Sequence, residues 1–278
     1  MVAMRRVAGL LLSTCACGAQ VSDLPPFGDP TPVPGASSAV DEDDGTPTST
    51  MLELIFSYTD AADGGRKHLR TMTRASFGDA WSAPQPMTFE ITGMTDQTPR
   101  FSADDLTLYF ASSRDPNTTG LDVWRTMRSA VGAPWGAPEE IAELVDATHD
   151  DKWFSPCADG RYLMISSRGG TGADIYEGVL GSAPPAVVAA LSSSSGETGT
   201  WVAEDCLTAY FASTRSGDNR IWTATRKSLD AAWSDPVMVE DFLALGGNQE
   251  DPWMSRDQLT FYLVSDVSGS KDVYTATR

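Results

Sequence analysis

Histidine, cysteine and positive charge are all scarce in this 278-residue chain, and each scarcity argues against a class of function. Two histidines and four cysteines make a structural zinc cluster a poor interpretation. Twenty Lys and Arg stand against 38 Asp and Glu, and this excess of negative charge repels nucleic acids and anionic lipid surfaces. Beyond the first 15 residues, no apolar run approaches the ~20 residues that span a bilayer. Hydrophobic residues make up 41% of the chain, which predicts a folded acidic protein.

The N-terminus has the pattern of an export signal. Arg5 and Arg6 precede a short apolar stretch at 7–12, and small residues and two thiols follow. This order is typical of a secretory signal peptide. Residues 16–26 are rich in small and polar residues and proline, which predicts a flexible tether.

The end of this signal resembles the bacterial lipobox, in which a cysteine is acylated and becomes the mature N-terminus. The four residues before and including Cys15 are Leu-Ser-Thr-Cys, with Thr where Gly, Ala or Ser is usual. Cys17, preceded by Ala16, is the alternative attachment point. We expect residues 1–15 to be a lipoprotein signal peptide and the protein to be an outer-membrane lipoprotein. A plain cleaved signal, which would give a periplasmic or secreted protein, is the alternative.

The rest of the chain repeats one pattern five times with a period near 50 residues, and such periods indicate propellers. A strand-like segment ending in Ser-x-Arg or a variant of it is followed by a second extended block, and three units then carry Trp-x-x-Pro. The first segments lie at 52–60, 100–114, 155–168, 201–215 and 253–266, the second blocks at 68–74, 121–128, 174–176, 220–226 and 272–278, and the tryptophans at Trp81, Trp135 and Trp233.

These units predict an all-β fold, a five-bladed β-propeller with four-stranded antiparallel blades. The last unit ends after its third strand at Arg278, and Phe27-Gly28-Asp29-Pro30 resembles the missing Trp-x-x-Pro block. We therefore expect an N-terminal strand to pair with the last blade and close the ring. A disordered linker over 25–50 is the alternative. The predicted propeller covers 27–278, with the closing strand at 27–33 and blades at about 45–90, 97–143, 150–190, 197–241 and 249–278.

The repeat resembles the WD40-like repeat of TolB-type periplasmic propellers. The resemblance is carried by Phe-Ser-Ala-Asp in the first segment, by Asp-Val-Trp or Asp-Val-Tyr in the second block and by Trp-x-x-Pro. It covers about residues 27–278 and implies the propeller fold, without implying the partners of TolB itself. Five blades in place of six, the missing Asp-Gly turn of unit one and the missing tryptophan of unit three depart from that pattern.

Acidic residues recur where each innermost strand begins, on one face of the predicted ring. We expect this face to form an acidic channel mouth that also receives arginines from the ends of the second strands. The candidate ligand-binding residues are Asp44, Asp96, Asp150, Asp151, Glu197, Glu250, Asp251, Arg114, Arg168 and Arg215. The acids and arginines either pair with each other and hold the blades together, or form a charged funnel that recognises a partner.

These features favour a non-catalytic binding or scaffold propeller of the cell envelope. We expect a monomer that recognises a protein or glycan at the mouth, touches the membrane only through a lipid anchor, binds no nucleic acid and needs no cofactor. The alternative is a glycan-active hydrolase that uses carboxylates at the same mouth. No catalytic residue is predicted, because the acids recur as part of the repeat.

Two further interpretations concern metal and thiols. The charge run 41–45 lacks the Asp-x-Asp-x-Asp-Gly spacing of a calcium loop, so we interpret it as a solvated segment and predict no metal site. Cys157 and Cys206 fall at equivalent turns of consecutive units, on the face opposite the acidic mouth, which makes a disulfide between them possible. Two unrelated thiols are the alternative.

Overall fold

The computed structural model describes residues 24–169 and 172–278, which form a five-bladed β-propeller. Each blade is a four-stranded antiparallel sheet, so the predicted fold class is confirmed. The predicted signal peptide, both candidate lipidation sites at Cys15 and Cys17, and most of the predicted tether lie outside the described residues. Among the described residues, helices are too short and too polar to cross a membrane.

Each blade runs from an inner strand at the channel to a two-residue outer strand. Blade 1 contains β2 (Glu42–Pro47), β3 (Glu53–Asp60), β4 (Arg66–Thr73) and β5 (Gln85–Pro86); blade 2 contains β6 (Asp96–Phe101), β7 (Thr107–Ser112), β8 (Asp122–Met127) and β9 (Glu139–Glu140); blade 3 contains β10 (Asp151–Pro156), β11 (Arg161–Ser166), β12 (Asp174–Val179) and β13 (Ala186–Val187); blade 4 contains β14 (Glu197–Val202), β15 (Thr208–Ser213), β16 (Arg220–Thr225) and β17 (Val237–Met238); and blade 5 contains β18 (Gln249–Met254), β19 (Thr260–Ser265), β20 (Asp272–Thr277) and, as its outer strand, β1 (Thr31–Pro32).

The N-terminal segment closes the ring, as predicted. Strand β1 pairs with β20, with Thr31 opposite Thr275. Just before it, Phe27 packs against Phe242 and Phe261 of blades 4 and 5, with ring centroids 5.5 and 5.6 Å apart. The first and last parts of the described chain therefore share one sheet, and β1 gives blade 5 the fourth strand that the other blades have.

Five hydrophobic clusters, one between each pair of neighbouring blades, form the core. The second strands are buried on both faces, because alternate side chains pack against different neighbours. In β3, Leu54 and Phe56 pack towards blade 5, whereas Ile55 packs towards blade 2. A single blade cannot bury both of its apolar faces, so the ring is the smallest unit that buries them all.

A repeated arginine links the Trp-x-x-Pro block to the turn after the inner strand. In blade 2, the Arg128 guanidinium lies 4.2 Å from the Trp135 ring, and its Nε donates to the carbonyl of Asp105. Blades 1, 4 and 5 repeat this arrangement with Arg74 on Trp81, Arg226 on Trp233 and Arg278 on Phe27. In blade 3, Leu180 takes the place of the arginine. The tryptophan missing from that unit is therefore accompanied by the loss of its stacking partner.

Candidate functional site

The third residue of every inner strand lies at the channel axis in a left-handed backbone conformation. A register shift in each inner strand accompanies this residue. The five residues and their φ angles are Asp44 (59°), Thr98 (55°), Trp153 (50°), Gly199 (54°) and Asp251 (51°). Because non-glycine residues avoid this region, the surrounding contacts must compensate for its energetic cost.

Hydrogen bonds between neighbouring blades supply that compensation. The Asp251 carboxylate accepts from the backbone N–H of Asp44 at 3.2 Å, and the Asp44 carboxylate accepts from that of Thr98 at 3.2 Å. The Thr98 hydroxyl accepts from the backbone N–H of Trp153, also at 3.2 Å. At Gly199, a Cβ atom would lie 2.6 Å from the backbone nitrogen of Asp251, so only glycine fits. A belt of hydrogen bonds thus joins blades 5, 1, 2 and 3 at the axis, and blade 4 completes this belt through the close approach of Gly199 to Asp251.

The Trp153 indole seals the centre of this belt. Its Nε1 donates to Asp44 Oδ1 and to Asp251 Oδ1, each at 2.7 Å. Both aspartates are only 2% exposed. The residues come from blades 3, 1 and 5, so the indole bridges across the channel. Two carboxylates that the sequence places in the open mouth are in fact buried beneath it.

Asp43, next to this pair, completes a cluster of three buried carboxylates. One oxygen from each of Asp43, Asp44 and Asp251 lies within 4.8 Å of the others. The interpretation of 41–45 as a solvated charge run is therefore wrong for the residues of β2, all of which are buried. They are buried because the inner strand itself carries them into the channel.

The environment pushes the pKa values of these carboxyls in different directions. Burial and the neighbouring Asp44 charge raise the pKa of Asp43 to about 7, although the ammonium of Lys67 acts to lower it. Burial alone would raise the pKa of Asp44, but Lys67 and nearby hydrogen bonds hold it below its ordinary value. Burial and the Asp44 charge raise the pKa of Asp251. The cluster therefore keeps its negative charge mainly on Asp44.

The cluster has part of the chemistry of a divalent cation site. Three carboxylates supply some of the six to eight oxygens that Ca²⁺ takes. Nitrogen donors already bond to all three, however, because Lys67 donates to Asp43 and Trp153 donates to Asp44 and Asp251. A cation would have to displace these donors.

Asp96, Asp151 and Glu197 begin the inner strands of blades 2, 3 and 4, and each is buried. Each pairs with the arginine that follows the second strand of its own blade. Asp96 contacts Arg114 at 2.7 Å, Asp151 contacts Arg168, and Glu197 contacts Arg215 at 3.1 Å. Burial raises the pKa of Asp151 to about 6, although hydrogen bonds from Ser166 and Arg168 act to lower it. These pairs tie each blade together, as expected if the acids and arginines pair with each other rather than with a ligand.

Asp150 and Glu250 remain partly exposed on the entry face, which we define as the face where the inner strands begin. The Asp150 side chain is 41% exposed and lies 3.2 Å from Lys152. Glu250 accepts from Lys271 at 2.6 Å. These lysines and Lys67 were not predicted as site residues, although Lys67 and Lys271 occupy equivalent places at the start of third strands, which an alignment of the units shows.

The opposite face, where the inner strands turn into the second strands, contains a cavity of about 380 Å³. We call this the hairpin face. Trp201, Trp253 and Arg100 contribute to its lining. A disulfide between Cys157 and Cys206, with Cα atoms 5.5 Å apart, joins blades 3 and 4 on this face. The sequence alone predicts no ligand site on this face, because the lining residues follow no pattern that recurs from blade to blade.

No protein-family model and no curated protein matches the chain. Solved structures do match it. An endo-arabinase from Bacteroides thetaiotaomicron superposes with a TM-score of 0.59 at 10% identity, over 90% of this chain and 97% of that one. The catalytic domain of the Coprinopsis cinerea GH62 α-L-arabinofuranosidase gives 0.58 at 12% identity, over 91% and 96%. A putative TolB from Agrobacterium tumefaciens gives 0.54 at 13% identity, over 82% and 71%.

These likenesses show the fold alone. The chain is a β-propeller whose structural neighbours include both TolB-type proteins and glycosidases. At these identities the choice between binding and hydrolysis depends on the site itself.

Proposed function

We propose that this propeller is a non-catalytic binding or scaffold module of the bacterial cell envelope that recognises a protein or glycan partner at its entry face. The observation that carries the proposal is the Trp153 indole N–H shared by Asp44 and Asp251. Glycosidases need two carboxyl groups on either side of a sugar, about 5–9.5 Å apart. Here an indole occupies the space between the two carboxylates, and both are 2% exposed.

The accessible charges of the entry face support a binding role. Around the sealed centre, the lysine side chains of three ion pairs remain partly exposed: Lys67 at 27%, Lys152 at 23% and Lys271 at 33%. The net charge of the chain is −18, so the long-range field favours a partner segment that carries positive charge. The paired lysines then offer donors for short-range contacts.

A quantitative pull-down from envelope extract tests the entry face. We expect Asp150→Asn combined with Glu250→Gln to reduce capture of the partner that the unmodified protein captures. Glu139→Gln is the matched control, because Glu139 is 49% exposed on an outer strand, far from the channel. Equal capture by all three proteins would contradict the proposed surface.

The envelope location is supported by the signal-like N-terminus with its lipobox-like sequence. We propose acylation of Cys15, with Cys17 as the alternative. Mass spectrometry of the mature protein should find a lipid on one of them. An unmodified N-terminus beyond Cys17 would contradict the lipoprotein assignment.

A glycan-active hydrolase is the second candidate, and the pKa values of Asp43 and Asp44 favour it. One carboxyl has its pKa raised to about 7 and its neighbour has its pKa lowered, as in acid and base pairs of enzymes. Because arabinan-degrading enzymes share the fold, arabinan and aryl α-L-arabinofuranosides are the first substrates to assay. Hydrolysis that is lost in both Asp43→Asn and Asp44→Asn would overturn the binding proposal.

A further inference from the structure

The cavity on the hairpin face has the size and position of a small-molecule site. Its volume of about 380 Å³ falls within the range of ligand pockets. It lies at the channel axis, on the far side of the belt that seals the entry face. Residues from all five blades line it, mostly from the ends of inner strands and the turns that follow.

The residues that line this cavity depart from the repeat. The second strands of blades 2 and 4 are nearly identical, Thr-Leu-Tyr-Phe-Ala-Ser and Thr-Ala-Tyr-Phe-Ala-Ser. In contrast, the fifth residues of the inner strands have different chemistry in different blades: Thr46, Arg100, Ser155, Trp201 and Trp253. Different side chains around one axis are expected where a ligand without fivefold symmetry binds.

Three buried polar atoms on residues of this lining have no hydrogen-bond partner within the described residues. They are Thr46 Oγ1, Arg100 Nη2 and Gln258 Oε1. The other guanidinium nitrogens of Arg100 are held, Nε by the carbonyl of Thr200 at 3.2 Å and Nη1 by that of Pro99 at 2.9 Å. Buried polar atoms are nearly always partnered. Residues of the cavity wall therefore hold hydrogen-bonding capacity that the described residues do not use.

The rim of the cavity is held rigid. The Cys157–Cys206 disulfide and a 2.9 Å hydrogen bond from Ala158 N to Glu204 O join blades 3 and 4. Arg256 of blade 5 donates both to the Glu204 carboxylate and to the carbonyl of Ala103 in blade 2. Contacts from four blades therefore fix the opening, and such preorganisation reduces the entropic cost of binding.

We propose that this cavity binds a neutral carbohydrate of one or two sugar units. The half-buried indole of Trp201, next to the more deeply buried Trp253, provides flat apolar surface for the C–H face of a sugar ring. Serine, threonine and glutamine side chains of the lining provide hydrogen-bond donors and acceptors. Two arginines and three acids lie around the cavity: Arg100, Arg256, Asp105, Glu204 and Asp205. Because these charges nearly cancel, the site fits a neutral polyol better than an ion. The inference is independent of the partner proposed for the entry face.

Titration calorimetry and saturation-transfer NMR on the purified protein, with maltose, xylobiose and N,N′-diacetylchitobiose as probes, test this inference. We expect at least one probe to bind with a Kd of about 1 mM or below, and Trp201→Ala to weaken binding about tenfold or more. Arg256→Ala is the second variant, since Arg256 is 53% exposed and its loss leaves the core intact. It should weaken binding of the same sugar.

Two controls separate this site from other surfaces. Trp135→Ala, which removes an indole stacked on Arg128 away from the channel, should bind the sugar as the unmodified protein does. Glu250→Gln on the entry face should also leave sugar binding unchanged. Absence of binding by every probe at about 10 mM, or equal affinity in Trp201→Ala and the unmodified protein, would overturn the inference without affecting the entry-face proposal.

Discussion

Replacing Trp153 by phenylalanine removes the N–H group at the centre of the propeller while keeping an aromatic ring there. That N–H donates to two buried carboxylates at 2.7 Å. Hydrogen bonds to charged groups contribute about 1.5–3 kcal/mol each. Since the cluster keeps its negative charge mainly on Asp44, we count one charged acceptor and expect the substitution to lower the free energy of unfolding by about 1.5–3 kcal/mol beyond the loss of ring volume.

Trp222→Phe is the matched control, because it makes the same change of volume at an indole whose Nε1 has no hydrogen-bond partner within the described residues. Urea denaturation at pH 7 should show Trp153→Phe to be less stable than Trp222→Phe by about 2 kcal/mol. In a thermal melt, this corresponds to a difference of about 4–8 °C for a domain of this size.

The reasoning would be refuted if the two variants differed by less than about 0.5 kcal/mol, which is the typical scale of a neutral substitution. Such a result would mean that Asp44 and Asp251 obtain their hydrogen bonds elsewhere. The entry face would then be open enough for the carboxylates to meet solvent, and the main argument against hydrolysis would fail.

Three further predictions concern ring closure, the disulfide and pH. Phe27→Ala should destabilise the protein by about 3 kcal/mol in urea denaturation, whereas Phe77→Ala, at a side chain 47% exposed, should cost under about 0.5 kcal/mol; equal losses would contradict closure by the N-terminal segment. Reducing the Cys157–Cys206 bond, whose cysteines are 49 residues apart, should cost about 4 kcal/mol, and calorimetric scans that match with and without reductant would contradict this. Because the pKa of Asp43 is raised to about 7, its contribution to stability falls as pH rises from about 4 to about 7; Asp43→Asn should remove that fall, and urea midpoints at pH 5 and pH 8 that change equally in both proteins would contradict it.

The sequence predicts the blades because the residues of the repeat have the same packing role in every blade. The second strands and the Trp-x-x-Pro blocks recur with their packing partners, and even the closing segment carries Phe27 where the other units carry tryptophan. Closure could therefore be predicted from the single strand that the last unit lacks. Local propensity and global packing agree in these segments.

The channel could not be predicted in the same way, because its residues differ from blade to blade. Nothing in the local sequence shows that Thr98, Trp153 and Gly199 occupy equivalent axial positions with a left-handed backbone. Their shared conformation depends on contacts between blades, such as the approach of Gly199 to Asp251. The acids at the strand starts were found from the sequence, but their burial depends on how five inner strands converge.

The exchange of the Trp153 indole proton with solvent is the most direct test of a channel sealed between Asp44 and Asp251. In a ¹⁵N-labelled protein, its NMR signal can be assigned by its disappearance in Trp153→Phe. We predict exchange with D₂O that is slower than for the exposed indoles by orders of magnitude, since both carboxylates hold the proton in a buried site. Exchange as fast as that of an exposed tryptophan would contradict the sealed channel and reopen the hydrolase interpretation.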